Sequence, residues 1–231
     1  MLKKWDDLPE GMKCPEVRVY YEILSRKRGS MLFKRGFDFL LALLMLIVLA
    51  IPMLIIALLI VKDSKGGVFY RQERVTSYGK VFRIHKFRTM VMGADRIGTQ
   101  VTVANDSRIT RIGAFLRKYR LDELPQLIDV LVGDMSFVGT RPESTFYVGK
   151  YTKEMMATLL LPAGITSEAS IRYKDEAKLL TDATDVDAIY ISKILPAKME
   201  YNLESIRQFG LLKDLKTMFR TVLAVLGKEY L

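Results

Sequence analysis

The feature that most limits what this chain can become is Phe39 to Val61, FLLALLMLIVLAIPMLIIALLIV, 23 residues without a charge. As a straight helix it would be about 34 Å long at roughly 1.5 Å per residue, enough to cross a bilayer. Two details set it apart from an ordinary span. Pro52 lies near the middle, where it removes a helical hydrogen bond and predicts a kink. Both flanks are basic: Arg26, Lys27, Arg28, Lys34 and Arg35 precede the run, and Lys62, Lys65, Arg71 and Arg74 follow it. A single span carries its basic residues mainly on the cytoplasmic side. Basic residues on both flanks suit a kinked helix that enters and leaves by the same face. A simple transmembrane anchor and a buried helix of a soluble protein are the competing readings. Asp38, at the edge of the run, is spaced to pair with Lys34 or Arg35.

Lys and Arg outnumber Asp and Glu by 36 to 26, a net charge of +10, which favours anionic partners. Nucleic acid, an acidic membrane surface and phosphorylated substrates all qualify, but no nucleic-acid fold signature stands in the sequence. Cys14 is the single cysteine, so an internal disulfide is ruled out and a reducing compartment fits. One histidine, His85, and one cysteine cannot build a Cys/His zinc site. No GxSxG surrounds a serine.

Residues 1–33 read as a loose polar leader followed by one helix from Glu16 to Arg26. The apolar run starts too far in, and lacks a following small-residue cleavage site, to be a signal peptide. After the turn at Asp63–Gly67, Val68–Arg74 and Lys80–Lys86 alternate and predict a β-hairpin. Lys86 and Arg88 lie two apart, so on a strand both would face one way and could hold a diphosphate; a solvated strand face is the plain alternative. Met92 to Ile109 is polar and loop-like. Thr110–Tyr119 predicts a short basic amphipathic helix. Helix is also expected over Glu143–Leu161, over Asp185–Ile206 with Pro196 interrupting, and over Phe209–Leu226. The last carries a stripe of Leu211, Leu212, Leu215, Met218, Phe219, Val222, Leu223 and Leu226, suited either to a membrane interface or to the protein core.

The richest stretch is Arg117 to Pro142, RKYRLDELPQLIDVLVGDMSFVGTRP. Leu121, Leu124, Leu127, Ile128 and Leu131 mark one apolar face, and Pro125 suits the first turn of a helix. Asp122 and Glu123 therefore stand at or just before a helix N-terminus, where a capping role is a sufficient account. The surroundings point further. Arg111, Arg117, Arg120 and Arg141 crowd the segment, as expected where anions bind. Arginines and a divalent cation would keep a carboxylate ionised. Such an aspartate can attack phosphorus and form an acyl phosphate. Magnesium would offset the repulsion between carboxylate and diphosphate.

At this point the chain resembles the bacterial sugar transferases, the monotopic phosphoglycosyl transferases that act on polyprenol phosphate. The resemblance runs from about Lys34 to the C-terminus. It rests on Lys34, Arg35 and Asp38 (KRxxD), Pro52, FYRQERV, KFRTM, RITRIGAFLR, LDELPQL, GDMSFVGTRP and PAGIT, in that order. It implies a mainly α fold with a short β-hairpin: a monotopic membrane protein with a re-entrant helix-break-helix and a compact cytoplasmic catalytic domain. Residues 1–33 would be the leader, 34–62 the re-entrant membrane helix, and 63–231 the catalytic domain with interfacial amphipathic helices. It further implies a UDP-sugar donor, undecaprenyl phosphate as acceptor, and a place at the bacterial cytoplasmic (inner) membrane, facing the cytoplasm. Asp122 matches the family nucleophile. Glu123 would share magnesium binding with it or handle the acceptor's proton. Lys86, Arg88, Arg111 and Arg141 would hold phosphates or uridine. Such a reaction begins capsule, exopolysaccharide, O-antigen or glycoprotein glycan synthesis. Two departures stand out: Gly139-Thr140-Arg141-Pro142 replaces GPRP, and Ser167–Glu176 replaces a GxAQVxGR-like segment. The second leaves the donor sugar open, as are the glycan pathway and the oligomeric state. The competing function is a basic, membrane-tethered polyanion-binding protein with the acidic pair as a cap only.

Overall fold

The computed structural model describes residues 2–94, 106–174, 176 and 185–227. Two helices open the chain, α1 (Pro15–Ser25) and α2 (Arg28–Asp63). The expected break at Pro52 is absent: α2 is one helix with Pro52 inside it, and it begins at Arg28 rather than Lys34. Proline costs a helix one hydrogen bond and a local clash, and here packing continues on either side of it. Ala42, Met45 and Leu49 lie against one apolar cluster and Met53, Ile56 and Ile60 against a second, so the contact stripe keeps helical spacing across Pro52. The opposite face, with Leu44, Val48, Ile51, Ile55 and Leu58, is apolar and exposed. The helix is long and apolar enough to cross a membrane by length and composition.

Both ends of α2 are fastened to the same body. Near its start, Arg35 donates to the carbonyls of Val130 and Leu131 at 2.6 and 2.8 Å, and Lys34 pairs with Asp214 at 2.6 Å. Ser136 Oγ donates to Asp38 at 2.8 Å. At its end, Asp63 accepts from the Ile112 amide at 3.0 Å, and Arg88 holds the Ser64 and Lys65 carbonyls.

The predicted hairpin forms from β1 (Phe69–Val75) and β2 (Val81–Phe87), antiparallel, with Tyr70 opposite Lys86. Of the polar stretch after it, residues 95–105 lie outside the described residues. Helix α3 (Arg111–Lys118) is capped by Thr110, whose side chain accepts from the Gly113 amide. Gly113 is required there because a Cβ would come within 2.1 Å of the Thr89 carbonyl oxygen. A 3-10 turn (Leu121–Glu123) then leads into α4 (Gln126–Val132), which ends at Gly133 with φ 93.

Two strands were not anticipated: β3 (Met135–Val138) and β4 (Ala163–Thr166) pair in parallel. Their crossover is not the long helix expected over Glu143–Leu161. It holds one turn, α5 (Thr145–Val148), and a 3-10 segment, Met155–Leu160. The strands draw close at Gly139 and Gly164, where a Cβ on Gly164 would meet the Gly139 nitrogen at 2.1 Å. The segment after β4 contains α6 (Glu168–Arg172). The chain then runs helically through α7 (Val186–Ile189), a π turn (Tyr190–Ile194) and α8 (Leu195–Arg207). Pro196 does not end the helical run, but the α-helical pattern is interrupted just before it, by the π turn, and resumes at Leu195 with Pro196 in the first turn of α8.

The last helix, α9 (Leu211–Val225), turns its polar side inward. Thr217 is buried, Thr221 bonds Thr166 at 2.7 Å, and Arg220 pairs with Glu168 at 2.7 Å. Leu212, Leu215, Phe219, Val222 and Leu226 face outward and are exposed. The leader is not loose. Leu2, Leu8 and Met12 join Tyr20, Leu24, Leu160 and Ile206 in one buried cluster, since residues 1–25 have enough apolar side chains to cover α8 and the 3-10 segment.

Candidate active site

The acidic pair is set by an uncommon backbone. Arg120 adopts φ 56, left-handed for a side-chain-bearing residue, and so turns α3 sharply into the 3-10 turn. Such a conformation costs about 1–2 kcal/mol and persists only where the surroundings enforce it. Asp122 and Glu123 follow, each 8% exposed, so both carboxylates are largely out of water.

Their electrostatics diverge. Arg141 grips both Glu123 oxygens, NH2 to Oε1 at 2.5 Å and NH1 to Oε2 at 3.3 Å. Lys86 reaches Oε1 at 3.4 Å and Arg120 at 3.7 Å. Burial by itself would raise the Glu123 carboxyl, but Arg141, Lys86 and Arg120 together hold it well below the usual carboxylate range. Glu123 in turn holds the Arg141 guanidinium firmly charged. Asp122 moves the other way. Burial and the neighbouring Glu123 charge push its carboxyl up, against the pull of Lys86, Arg117 and Arg120. Desolvation is the largest of these influences. Its Oδ1 is buried without a partner. Burial also lowers Lys86 to about 8, the Glu123 charge offsetting part of the effect.

The other expected residues divide. Lys86 and Arg141 meet at Glu123. Arg117 stands behind them, its Nε donating to Thr89 Oγ1 at 2.8 Å. Arg88 does not reach the pair: the backbone ladder continues through its amide to the Val68 carbonyl, and its guanidinium is held by the Ser64 and Lys65 carbonyls. Arg111 is exposed at the start of α3, and no contact among the described residues joins it to the pair. Pro52 lies on the exposed face of α2.

Gln126 was not anticipated. It is 1% exposed, and both its amide nitrogen and oxygen lack partners. The i to i+3 bonds of this segment, Leu124 to Leu121 and Leu127 to Leu124, set residues three apart in line. Gln126 thus follows Glu123 on one face, and Asp129, which pairs with His85 at 2.6 Å, continues it. The spacing from the acidic pair was the available signal. His85 is a residue of β2, held by a buried carboxylate.

Arg141 leaves β3 through Gly139 and Thr140, which bond β4 at Thr166 and Gly164. Beyond it, Glu143 accepts from Tyr190 at 2.6 Å, and Lys198 joins Tyr190 and Glu176, each at 3.0 Å. This buried network anchors the segment that presents Arg141.

Among the described residues, no group of three or more His, Cys, Asp or Glu forms a metal cage. Magnesium, however, commonly takes one or two carboxylates and completes its shell with substrate phosphates and water. Asp122 Oδ1 and Gln126 Oε1 are unpartnered oxygens of the required hard type. Glu123, expected as the second ligand, has its oxygens engaged by Arg141 and Lys86.

A sequence profile of the bacterial sugar transferase family matches residues 29–228. The exopolysaccharide production protein PSS of Rhizobium leguminosarum bv. phaseoli is 36% identical over 209 residues, 86% of this chain and 98% of that protein. The UDP-glucose:undecaprenyl-phosphate glucose-1-phosphate transferase of Escherichia coli is 37% identical over 220 residues, 93% of this chain and 44% of that protein. The UDP-N-acetylgalactosamine-undecaprenyl-phosphate N-acetylgalactosaminephosphotransferase of Aeromonas hydrophila is 35% identical over 196 residues, 84% and 43% respectively. The chain thus spans less than half the length of the last two.

Proposed function

This chain belongs to the bacterial sugar transferase family, and from that premise we propose that it transfers a phosphosugar from a UDP-sugar to undecaprenyl phosphate. The carrying observation is the division within the acidic pair: Glu123 is locked to Arg141 and Lys86, while Asp122 is raised by burial and keeps a free oxygen. A poorly solvated, unpartnered carboxylate is a good nucleophile.

An Asp122 oxygen attacks the sugar-linked phosphorus. The bond from that phosphorus to the bridging oxygen breaks, and UMP leaves with the oxygen. Asp122 then carries the phosphosugar as an acyl phosphate. An oxygen of undecaprenyl phosphate attacks the same phosphorus, Asp122 departs as a carboxylate, and polyprenyl-diphosphate-sugar results. Two such displacements replace one harder transfer. Lys86 and Arg141 face the transferred phosphate from the Glu123 side and stabilise charge on its oxygens. Arg117 and Arg120 favour the ionised form of Asp122. Magnesium, bound through Asp122 and Gln126, would neutralise the diphosphate and its leaving group. The product would begin a bacterial surface glycan.

We place the protein on the inner membrane with its catalytic domain in the cytoplasm and α2, unbroken at Pro52, held to one face of the bilayer. The ties at both ends of α2 to one domain support this, as do the basic flanks and the outward apolar faces of α2 and α9. A crossing helix would have to carry one of those ties through the bilayer.

The test mixes purified protein, undecaprenyl phosphate and magnesium with a panel of UDP-sugars and separates UMP from UDP. UMP from one sugar supports the reading and names the donor. UDP means ordinary glycosyl transfer, and the Asp122 role is then wrong.

A further inference from the structure

The inner face of the hairpin carries a cation that the acidic pair does not use. Along β1, Tyr70, Gln72 and Arg74 are half-buried and alternate with exposed Phe69, Arg71 and Glu73. The register sets Tyr70 opposite Lys86, Gln72 opposite Ile84 and Arg74 opposite Phe82. Residues directly opposite share a face of the sheet, so Arg74 lies on the face that presents Lys86. Phe82 and Ile84 are buried on that face, where an apolar row would be the ordinary choice for β1 as well. The end of β1 is tied to the Arg141 segment, because the Val75 amide donates to the Glu143 carbonyl at 2.9 Å.

Arg74 makes one side-chain hydrogen bond, from Nη2 to Gln72 Oε1 at 2.6 Å, and among the described residues no carboxylate pairs with it. Glu143, the acid that acts on it most, is engaged elsewhere: it accepts from Tyr190 at 2.6 Å and lies 3.6 Å from Lys198. Burial pulls the Arg74 guanidinium below its ordinary value; Glu143 offsets part of this, and the Arg141 charge works against it. Arg141 is the opposite case, gripped by Glu123 and held firmly charged. A guanidinium short of water, with only a neutral amide as partner, is stabilised by any anion that reaches it.

Arg74 also lies away from the nucleophile. The charges that act on Asp122 are Glu123, Lys86, Arg117 and Arg120, whereas those that act on Arg74 are Glu143 and Arg141. In a phosphoryl displacement the leaving oxygen stands opposite the attacking one. We propose that Arg74 binds the nucleotide phosphate of the UDP-sugar, the phosphate that departs as UMP. The inference deepens the transfer proposed above and rests on it. As the Asp122 oxygen closes on the sugar-linked phosphorus, the bond from that phosphorus to the bridging oxygen breaks, and its electron pair stays with the bridging oxygen. The departing phosphate gains one negative charge and no proton moves. Arg74 donates to its oxygens and holds that charge, which leaves Lys86 and Arg141 to the transferred phosphate.

Calorimetric titration of the full chain in detergent with magnesium, using UMP and uridine as probes, tests it beside steady-state UMP release. Arg74→Met should weaken UMP by about tenfold to a hundredfold, as hydrogen bonds between charged groups imply, and leave uridine unchanged. Its kcat should fall, and Arg74→Lys should recover part of both losses. Gln72→Glu gives Arg74 the carboxylate it lacks, so this variant should melt higher than the native chain and yet bind UMP more weakly. That pairing of opposite signs keeps the test open should Arg74→Met fail to fold. UMP and uridine affinities that fall together overturn the proposal, as does a Gln72→Glu chain that binds UMP like the native one. A raised KM for undecaprenyl phosphate with UMP binding intact would assign Arg74 to the acceptor and overturn it equally. If the native chain releases UMP but Arg74→Met binds UMP normally, only the Arg74 role is refuted; if the native chain releases UDP, the transfer reading falls and this role with it.

Discussion

Asp122→Asn should abolish UMP release and at the same time make the protein slightly more stable. Asp122 is 8% exposed, and its Oδ1 has no partner. Burial and Glu123 raise its carboxyl above the ordinary aspartate value despite Lys86, Arg117 and Arg120, so the folded state disfavours the ionised form on balance. Leaving a buried polar group unpaired costs about 1–3 kcal/mol, and more when it is charged. Asparagine still places a polar atom there, so only the excess due to charge is relieved, about 1 kcal/mol. For a chain of this size that corresponds to a rise in Tm of about 2–4 °C. The sign of the pH dependence follows. A carboxylate whose folded pKa lies above its unfolded value weakens the fold at higher pH, and this penalty fades as pH falls through the folded pKa toward about 3.9. The gain from asparagine should therefore be full near neutrality and shrink on acidification. The assay is thermal melting in detergent over that range, beside nucleotide release. A lower Tm at neutral pH, or a gain independent of pH, would refute the electrostatic argument. Retained UMP release would refute the nucleophile.

Three further outcomes are expected. Activity should fall as pH rises through about 8, where Lys86 loses its charge, and Lys86→Arg should flatten that decline; because the unfolded lysine binds its proton more tightly, this group's contribution to stability rises over the same window, so a parallel drop in Tm would contradict the assignment. Gly113→Ala puts a Cβ 2.1 Å from the Thr89 carbonyl oxygen and should destabilise by about 1–3 kcal/mol or more, which denaturant melts will read; an unchanged midpoint would mean α3 shifts freely. With α2 held to one face of the bilayer, tags at both termini should resist labelling from outside intact cells, and Pro52→Leu should push some molecules toward spanning; unchanged topology would leave the domain ties at the two ends of α2, not Pro52, as the controlling feature.

The sequence by itself determined the long apolar helix, the hairpin, the amphipathic last helix and the placement of Asp122 and Glu123 at a helix start. Each is a local matter: a charge-free run, alternation, a stripe at helical spacing, a proline in a first turn. The Arg-rich setting of the acidic pair was also legible, because Arg117 and Arg120 are its neighbours in the chain. Contacts between distant segments decided the rest. Four-residue strands β3 and β4 carry too little pattern to be read, and they exist because Gly139 and Gly164 let two backbones meet. Whether Lys86 or Arg88 serves the dyad turned on the distant Ser64 and Lys65 carbonyls, which hold the Arg88 guanidinium. That most of α9's stripe points outward, with Met218 turned to the core, turned on the burial of Thr217 and on Arg220 and Thr221 finding polar partners inside. The two carboxylates, adjacent and alike in sequence, became different only in the fold. Arg141 arrives from β3 to neutralise Glu123, and none of the described residues arrives for Asp122 Oδ1. Burial and charge are sums over neighbours in space, and the chain order does not contain those neighbours.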